Sequence, residues 1–528
     1  MPGPDSHSPV DARIISAVGV AFGILCALVF GTLAGIAAIA PLLILIGGVA
    51  VAAVVLALGE RIWVLIPIFW YVEGSLVFLP IPFSVRHLTV MLAFGVFMVL
   101  LSLRVIRTQL KMESLDWMVL LNCGYLATVY LRNPVGTSAV GSNIVGGRPY
   151  FEAVIGLTAF VVLSRMALRP ALARLLPLFA YIPQVAISLL GALTHFVPST
   201  TPLLSRIYSE FDASEYLRQG AESSGDELSR VIDLSGGARA GILTLLSYFP
   251  PLSLLSPRRL FRFLCFLAVC AGFAFSGFRN DIMFMCFAFA MAAYFRSGIR
   301  NALVVIFAVV VICAGLVTVQ NAGLMLPLTA QRALSFLPGK WDPVAKDDAE
   351  GSAEWRFEMW DVVLWTDTYI HNKLLGDGFG FSKYELQIME EEKSGGPGFI
   401  GAPRQEAFLI VGAYHSGPLS AIRYVGAVGL VLYLSLLIVA AGYSWNIVRR
   451  SQGTDYFPLA LFVGIPAIYE PFNYVFIFGG FDSGFSNTLF LCGMLKLLSN
   501  ASSGHAPKSA STDNESLFAR WTRSGDLI

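Results

Sequence analysis

From Ile14 onward the chain alternates long apolar runs with short charged connections. Ile14 to Leu58 is apolar almost without a break, twice the roughly 20 residues that one membrane span needs. This predicts two helices turning near Gly35 and closed by Glu60-Arg61. Further runs predict spans at 62–80, 88–104, 115–132, 150–164, 172–197, 239–256, 260–276, 281–296, 301–320, 421–446, 457–478 and 484–498. The expected fold is all-α and polytopic, with about 14 transmembrane helices.

Lys and Arg orient such a chain because their translocation is disfavoured. Arg104, Arg107 and Lys111 share one connection; Arg165, Arg169 and Arg174 another; Arg258, Arg259 and Arg262, then Arg296 and Arg300, then Arg449 and Arg450 lie in others. If the spans alternate, all fall on one side, the cytoplasm. Both termini are then cytoplasmic, and three loops lie outside: 133–149, 198–238 and 321–420. The expected divisions are a cytoplasmic tail 1–13, an N-terminal transmembrane region 14–238, a region 239–445 containing the long outer loop, C-terminal helices 446–498 and a polar, Ser-rich, disordered tail 499–528.

Composition agrees with a membrane chain: of 528 residues, 56% are hydrophobic and 13% charged, against about 25% charged in soluble proteins. A net charge of +1, with no basic stripe interleaved with aromatics, excludes nucleic acid as a partner. The 7 Cys lie in apolar runs with no C-x-x-C pair, and read as small hydrophobes. The run after Arg13 is far longer than the 7 to 15 or so residues of a signal-peptide core, so the first span is expected to stay in the membrane. No inverted internal repeat of the transporter type is visible.

The long loop carries Trp341, Trp355, Trp360 and Trp365. The mixed pattern of Glu354 to Trp365 predicts a helix lying in the membrane interface, and Gly376-Asp377-Gly378-Phe379-Gly380 and Gly395-Gly396-Pro397-Gly398 predict turns. Within that helix Arg356 and Trp360 share a face.

Three basic residues stand out. Arg279 lies in Ser276-Gly277-Phe278-Arg279-Asn280-Asp281, a tight outer turn between two spans. Alone it is also what a headgroup-seeking interfacial Arg looks like. Arg356 lies in the outer loop, and His415 stands where that loop re-enters the membrane. Eleven and fourteen positions after His415 come Gly426 and Gly429, small enough for a helix or lipid chain to approach closely. His371-Asn372 begins similarly, but Ser382 and Glu385 stand where the glycines belong. His87 and His195, at span ends, are weaker candidates, and His7 and His505 fall in the tails. Two acids inside predicted spans, Glu73 and Glu470, are costly there and could bind substrate hydroxyls, orient the His or pair with a buried Arg. Outer-loop Asp347-Asp348 reads as solvated surface, and no metal or cofactor is expected.

Together, S-G-x-R at Arg279 with Met283 four positions on, Arg356 before Trp360 and the glycine turn, and H-S-x9-G-x-x-G from His415 resemble the bacterial O-antigen ligase family over about residues 240–440. These are membrane glycosyltransferases acting on polyprenyl-diphosphate-linked glycans. Phe278 stands where the family often has a small polar residue, and Ser416 where Asn is common. The resemblance implies a GT-C-like fold in the bacterial inner membrane and a metal-independent active site on its periplasmic side. It implies an undecaprenyl-diphosphate-linked glycan as donor, a lipid or glycan as acceptor and membrane lipids as surroundings. Arg279 and Arg356 would hold the diphosphate and His415 would activate the acceptor hydroxyl, with Glu73, Glu470, Asp281 and Trp360 in support. Ligation of O-antigen to lipid A core is the expectation; a polymerase or protein O-glycosyltransferase of the same superfamily, and a lipid-linked sugar transporter, are the alternatives.

Overall fold

The computed structural model describes residues 39–77, 83–104, 112–136, 144–211, 231–383, 385–386, 409–410, 412 and 414–503. The tails 1–13 and 504–528, the first predicted span with its turn near Gly35, the glycine turn at 395–398 and the stretch 212–230 lie outside these residues. The chain forms two units: Met1–Ile106 with Phe196–Leu217, and Arg107–His195 with Arg218–Ile528.

In the first unit, α1 (Ile39–Leu58) continues through a 3-10 stretch, Gly59–Val64, into α2 (Leu65–Phe69). Glu60-Arg61 therefore lies inside one helical run and does not separate two spans, as the charge pair had suggested. The run ends at Phe69, so Glu73 sits beyond a helix end, not within a span. There it is ion-paired at 2.8 Å with the buried Arg86. Arg86 lies in the first turn of α3 (Val85–Ser102), which is closed by a capping box. Ser84 Oγ accepts from His87 N and His87 Nδ1 accepts from Ser84 N, so His87 has a structural task.

The second unit is built around α13 (Gly417–Ser451). Against it pack α4 (Ser114–Arg132), α14 (Phe457–Phe476) and α15 (Phe481–Ser503), and α15 in turn packs on α5 (Arg148–Leu163). A second group, α7 (Leu234–Tyr248), α8 (Leu260–Ser276) and α9 (Arg279–Ser297), meets α14; α10 (Ile299–Asn321) lies along α9, and α6 (Pro170–Phe196) precedes the group in the chain. Between α10 and α13 come α11 (Leu328–Leu334) and α12 (Pro343–Trp365), which extends the predicted interfacial helix by three turns at its start. The only strands among the described residues, β1 (Ile144–Val145) and β2 (Phe381–Ser382), pair antiparallel and stitch two loops together.

Among the described residues six helices are long and apolar enough to cross a membrane: Gly47–Phe69, Val85–Ser102, Pro170–Phe196, Ile299–Asn321, Gly417–Ser451 and Phe457–Phe476. Leu260–Ser276 is apolar but shorter. Other expected spans form helices that carry buried polar groups, among them Asp116 and Asn122 on α4, Glu152 on α5, Asp281 on α9 and Lys496 on α15. Such groups survive in the interior because they are satisfied there: Lys496 Nζ lies 2.8 Å from Asp116 and 3.1 Å from Glu113.

Candidate functional site

Arg279 is the first residue of α9, and its own neighbours fix the turn that presents it. Gly277 ends α8 in the left-handed region at φ 68°, as a C-terminal cap requires. Ser276 donates to Asp281 Oδ2 at 2.9 Å, and the fully buried Asp281 also accepts from Arg239 Nε at 2.6 Å. The Gly277 carbonyl accepts from Arg332 Nη1 at 3.1 Å, which brings α11 onto the same turn. The Ser-Gly-Phe-Arg segment is thereby pinned from two sides, with Arg279 at the electropositive end of α9.

Arg356 arrives on α12. One turn further along, Trp360 donates its indole N–H to the Tyr414 carbonyl at 2.8 Å. Met359 and Val363 pack with Tyr414, Leu419 and Ile370 in a buried cluster, so the helix bearing Arg356 is docked onto the residue before His415. His415 has φ 49°, a region where His, Asn and Asp are the commonest non-glycine residues, and its ring centroid lies 5.6 Å from that of Phe478. The decoy His371 has a mostly exposed side chain beside Asp377.

The charges tie these segments together. Burial, and then the Arg356 charge, hold the His415 imidazole below its ordinary value of 6.5, so it is neutral at neutral pH. Arg356 is itself held below its ordinary value, first by burial and then by Arg279 and Arg332. Its Nε is buried without a hydrogen-bond partner. The charges of Arg279 on α9 and Arg332 on α11 thus act on Arg356 on α12, and that of Arg356 on His415 before α13. Arg332 was not singled out in the sequence, where nothing around Gln331-Arg332-Ala333 forms a motif; an Arg in the loop opposite the Lys- and Arg-rich side was the one available signal.

The glycine turn braces this arrangement. At Gly426 (φ 72°, ψ 178°) α13 breaks, and the break is filled by the turn. Ala427 N and Val428 N donate to the carbonyls of Lys373 and Leu374. The Arg423 and Tyr424 carbonyls, which those amides would have met in an unbroken helix, accept instead from Asp377 N and Gly378 N. These four groups freed by the break are re-paired, as a buried backbone demands. The close approach needs glycine on both sides: a Cβ on Gly376 would lie 2.5 Å from Gly426 N. Gly426 therefore admits a loop, while Gly429 faces the Tyr125 ring of α4. Asp377 completes the brace, accepting from His371 N and Asn372 N at 2.8 Å and from the buried Arg423 at 3.2 Å.

Of the supporting residues named from sequence, Asp281 and Trp360 make the contacts just described. Glu470, on α14, is a neighbour of Arg239 in charge, but Arg239 is ion-paired to Asp281. Glu73 belongs to the first unit with Arg86. Among the described residues no group of three or more His, Cys, Asp or Glu side chains is placed to hold a metal ion. No protein-family model and no curated protein matches this chain.

Proposed function

We propose that this protein transfers a glycan from an undecaprenyl diphosphate carrier to an acceptor hydroxyl, as an O-antigen ligase does. The observation that supports the reading is a chain of cationic influence, from Arg279 and Arg332 onto Arg356 and from Arg356 onto His415. Cations that act on one another favour a ligand with several negative charges; a diphosphate is such a ligand, and guanidinium groups match its oxygens. In the reaction the acceptor oxygen forms a bond to the anomeric carbon while the bond from that carbon to the diphosphate oxygen breaks. The electron pair leaves with the diphosphate, where the arginines stabilise it, and the hydroxyl proton passes to His415. Arg332 joins Arg279 and Arg356 in this reading as a third cation for the leaving group.

The architecture that goes with it is a GT-C-like polytopic bundle in the bacterial inner membrane, with the site on the periplasmic side. Removing one charge-stabilising donor from such a site costs about 10²-fold or more in turnover. The test incubates purified protein with an undecaprenyl-diphosphate glycan and, separately, lipid A core, free glycan and a peptide. Transfer to lipid A core is the expected outcome, lost in Arg279→Ala, Arg356→Ala and His415→Ala. Full activity in all three variants would overturn the site, and transfer only to free glycan or peptide would reassign the acceptor.

A further inference from the structure

Beside the arginines, the last turns of α14 carry polar groups that the protein leaves poorly partnered. Glu470, Asn473 and Tyr474 stand at positions i, i+3 and i+4, on one face of the helix. Asn473 Nδ2 donates to Glu470 Oε2 at 3.4 Å, which is the one hydrogen bond of the Glu470 carboxylate among the described residues. Asn473 is 8% exposed and Tyr474 1% exposed, yet Asn473 Oδ1 and the Tyr474 hydroxyl are buried with no hydrogen-bond partner. Buried polar atoms are ordinarily paired, and leaving one unpaired costs about 1–3 kcal/mol. Two such atoms beside a carboxylate with a single long hydrogen bond are the signature of a place that a ligand completes.

Chemistry distinguishes this ligand from a phosphate. The side-chain oxygens of Glu470 and Asn473 are acceptors and complement a molecule rich in O–H donors, while the phenol serves as either donor or acceptor. Position relates it to the cationic site. Tyr469 donates its hydroxyl to Asn280 Oδ1 at 2.9 Å, so α14 and α9 touch at the positions next in sequence to Glu470 and Arg279. Arg239 spans the same gap: it is bonded to Asp281 and its charge acts on Glu470. His415 and Gly417 close the other side. The Phe478 ring lies 5.6 Å from that of His415, and Gly417 is packed so tightly on Tyr474 that a Cβ there would overlap the Tyr474 carbonyl.

We propose that Glu470, Asn473 and Tyr474 form the subsite for the sugar attached directly to the donor diphosphate, binding its ring hydroxyls. This rests on the diphosphate reading of the arginines and deepens it. Phosphate groups face the cations of α9, α11 and α12, the first sugar faces the acceptors of α14, and the anomeric carbon that joins them falls between.

The test measures binding, not turnover, on the full chain in nanodiscs. The probes are bare undecaprenyl diphosphate and the same lipid bearing a single glucose, galactose or N-acetylglucosamine. At least one sugar-bearing lipid is expected to bind about 10-fold more tightly than the bare one, the gain of about one hydrogen bond. Glu470→Gln should erase most of that gap, read as the ratio of sugar-bearing to bare lipid affinity on the same variant. Tyr474→Phe should narrow the gap with an unchanged melting temperature, because the hydroxyl it removes has no partner within the protein. The subsite is refuted if no sugar improves on the bare lipid, or if both variants keep the gap. Arg356→Ala separates the two readings: if it leaves binding of the bare lipid untouched, the diphosphate site fails whatever the sugar does.

Discussion

Trp360 holds the carbonyl of Tyr414 at 2.8 Å through its indole N–H, and this bond joins the helix that carries Arg356 to the residue before His415. The guanidinium and the imidazole are thereby carried on elements joined by one buried cluster, so the position of the base relative to the leaving-group site depends on an indole that needs touch no substrate.

Trp360→Phe keeps the packing and removes the donor, leaving a carbonyl unpaired at a cost of about 1–3 kcal/mol. Transfer is expected to fall by about 10-fold in kcat with donor KM nearly unchanged, since the loss acts on His415 and not on the arginines. A rise in KM with kcat intact would show that the indole binds substrate.

The acid limb of transfer should lie below pH 6.5. His415 accepts a proton only when neutral, and burial and Arg356 both favour the neutral form, so activity reaches its plateau before an ordinary imidazole would. Removing the charge in Arg356→Gln relieves one of those influences and moves the limb to higher pH, on top of the loss of rate. Rate against pH for wild type and variant reads this directly; a limb that stays put or moves down contradicts the coupling.

Gly426→Ala should be among the most damaging small substitutions in the chain. A side chain at φ 72°, ψ 178° costs about 1–3 kcal/mol in backbone strain alone. The added methyl also runs into the backbone of Leu374 and Gly376. Gly442, in the same helix with open space where a methyl would stand, is the control, and its Ala variant should melt at or above the wild-type temperature. Equal melting temperatures for the two variants would remove the argument for the loop-filled break.

Asp377→Ala strips Arg423, 4% exposed, of its carboxylate and two backbone amides of their acceptor. Breaking a buried pair from one side costs about 3–5 kcal/mol. A sharp fall in melting temperature is expected, with Asp377→Asn recovering part of it; a variant as stable as wild type would show the brace to be dispensable.

The extent to which the sequence could be read differs by kind of feature. Apolar runs such as 299–321 and 457–476 announce themselves, because burial in lipid demands a composition that a linear scan detects. Helices in the interior, such as α9 and α15, carry charges that lipid would not tolerate, and only packing shows where those charges are neutralised. The pair Glu60-Arg61 looked like a boundary and lies within a helical run, since a charge pair marks a helix end only when the backbone actually turns there.

By itself the sequence determined that the chain is helical and suited to a membrane, and it marked Arg279, Arg356 and His415 through spacing, which is a local property. Tertiary structure alone decided that Arg332 joins them, that Glu73 is occupied by Arg86 while Glu470 is not held by Arg239, and that Gly426 receives a loop in place of a lipid. Those outcomes depend on which distant groups meet, and partners separated by tens or hundreds of residues leave no trace in the pattern of either one.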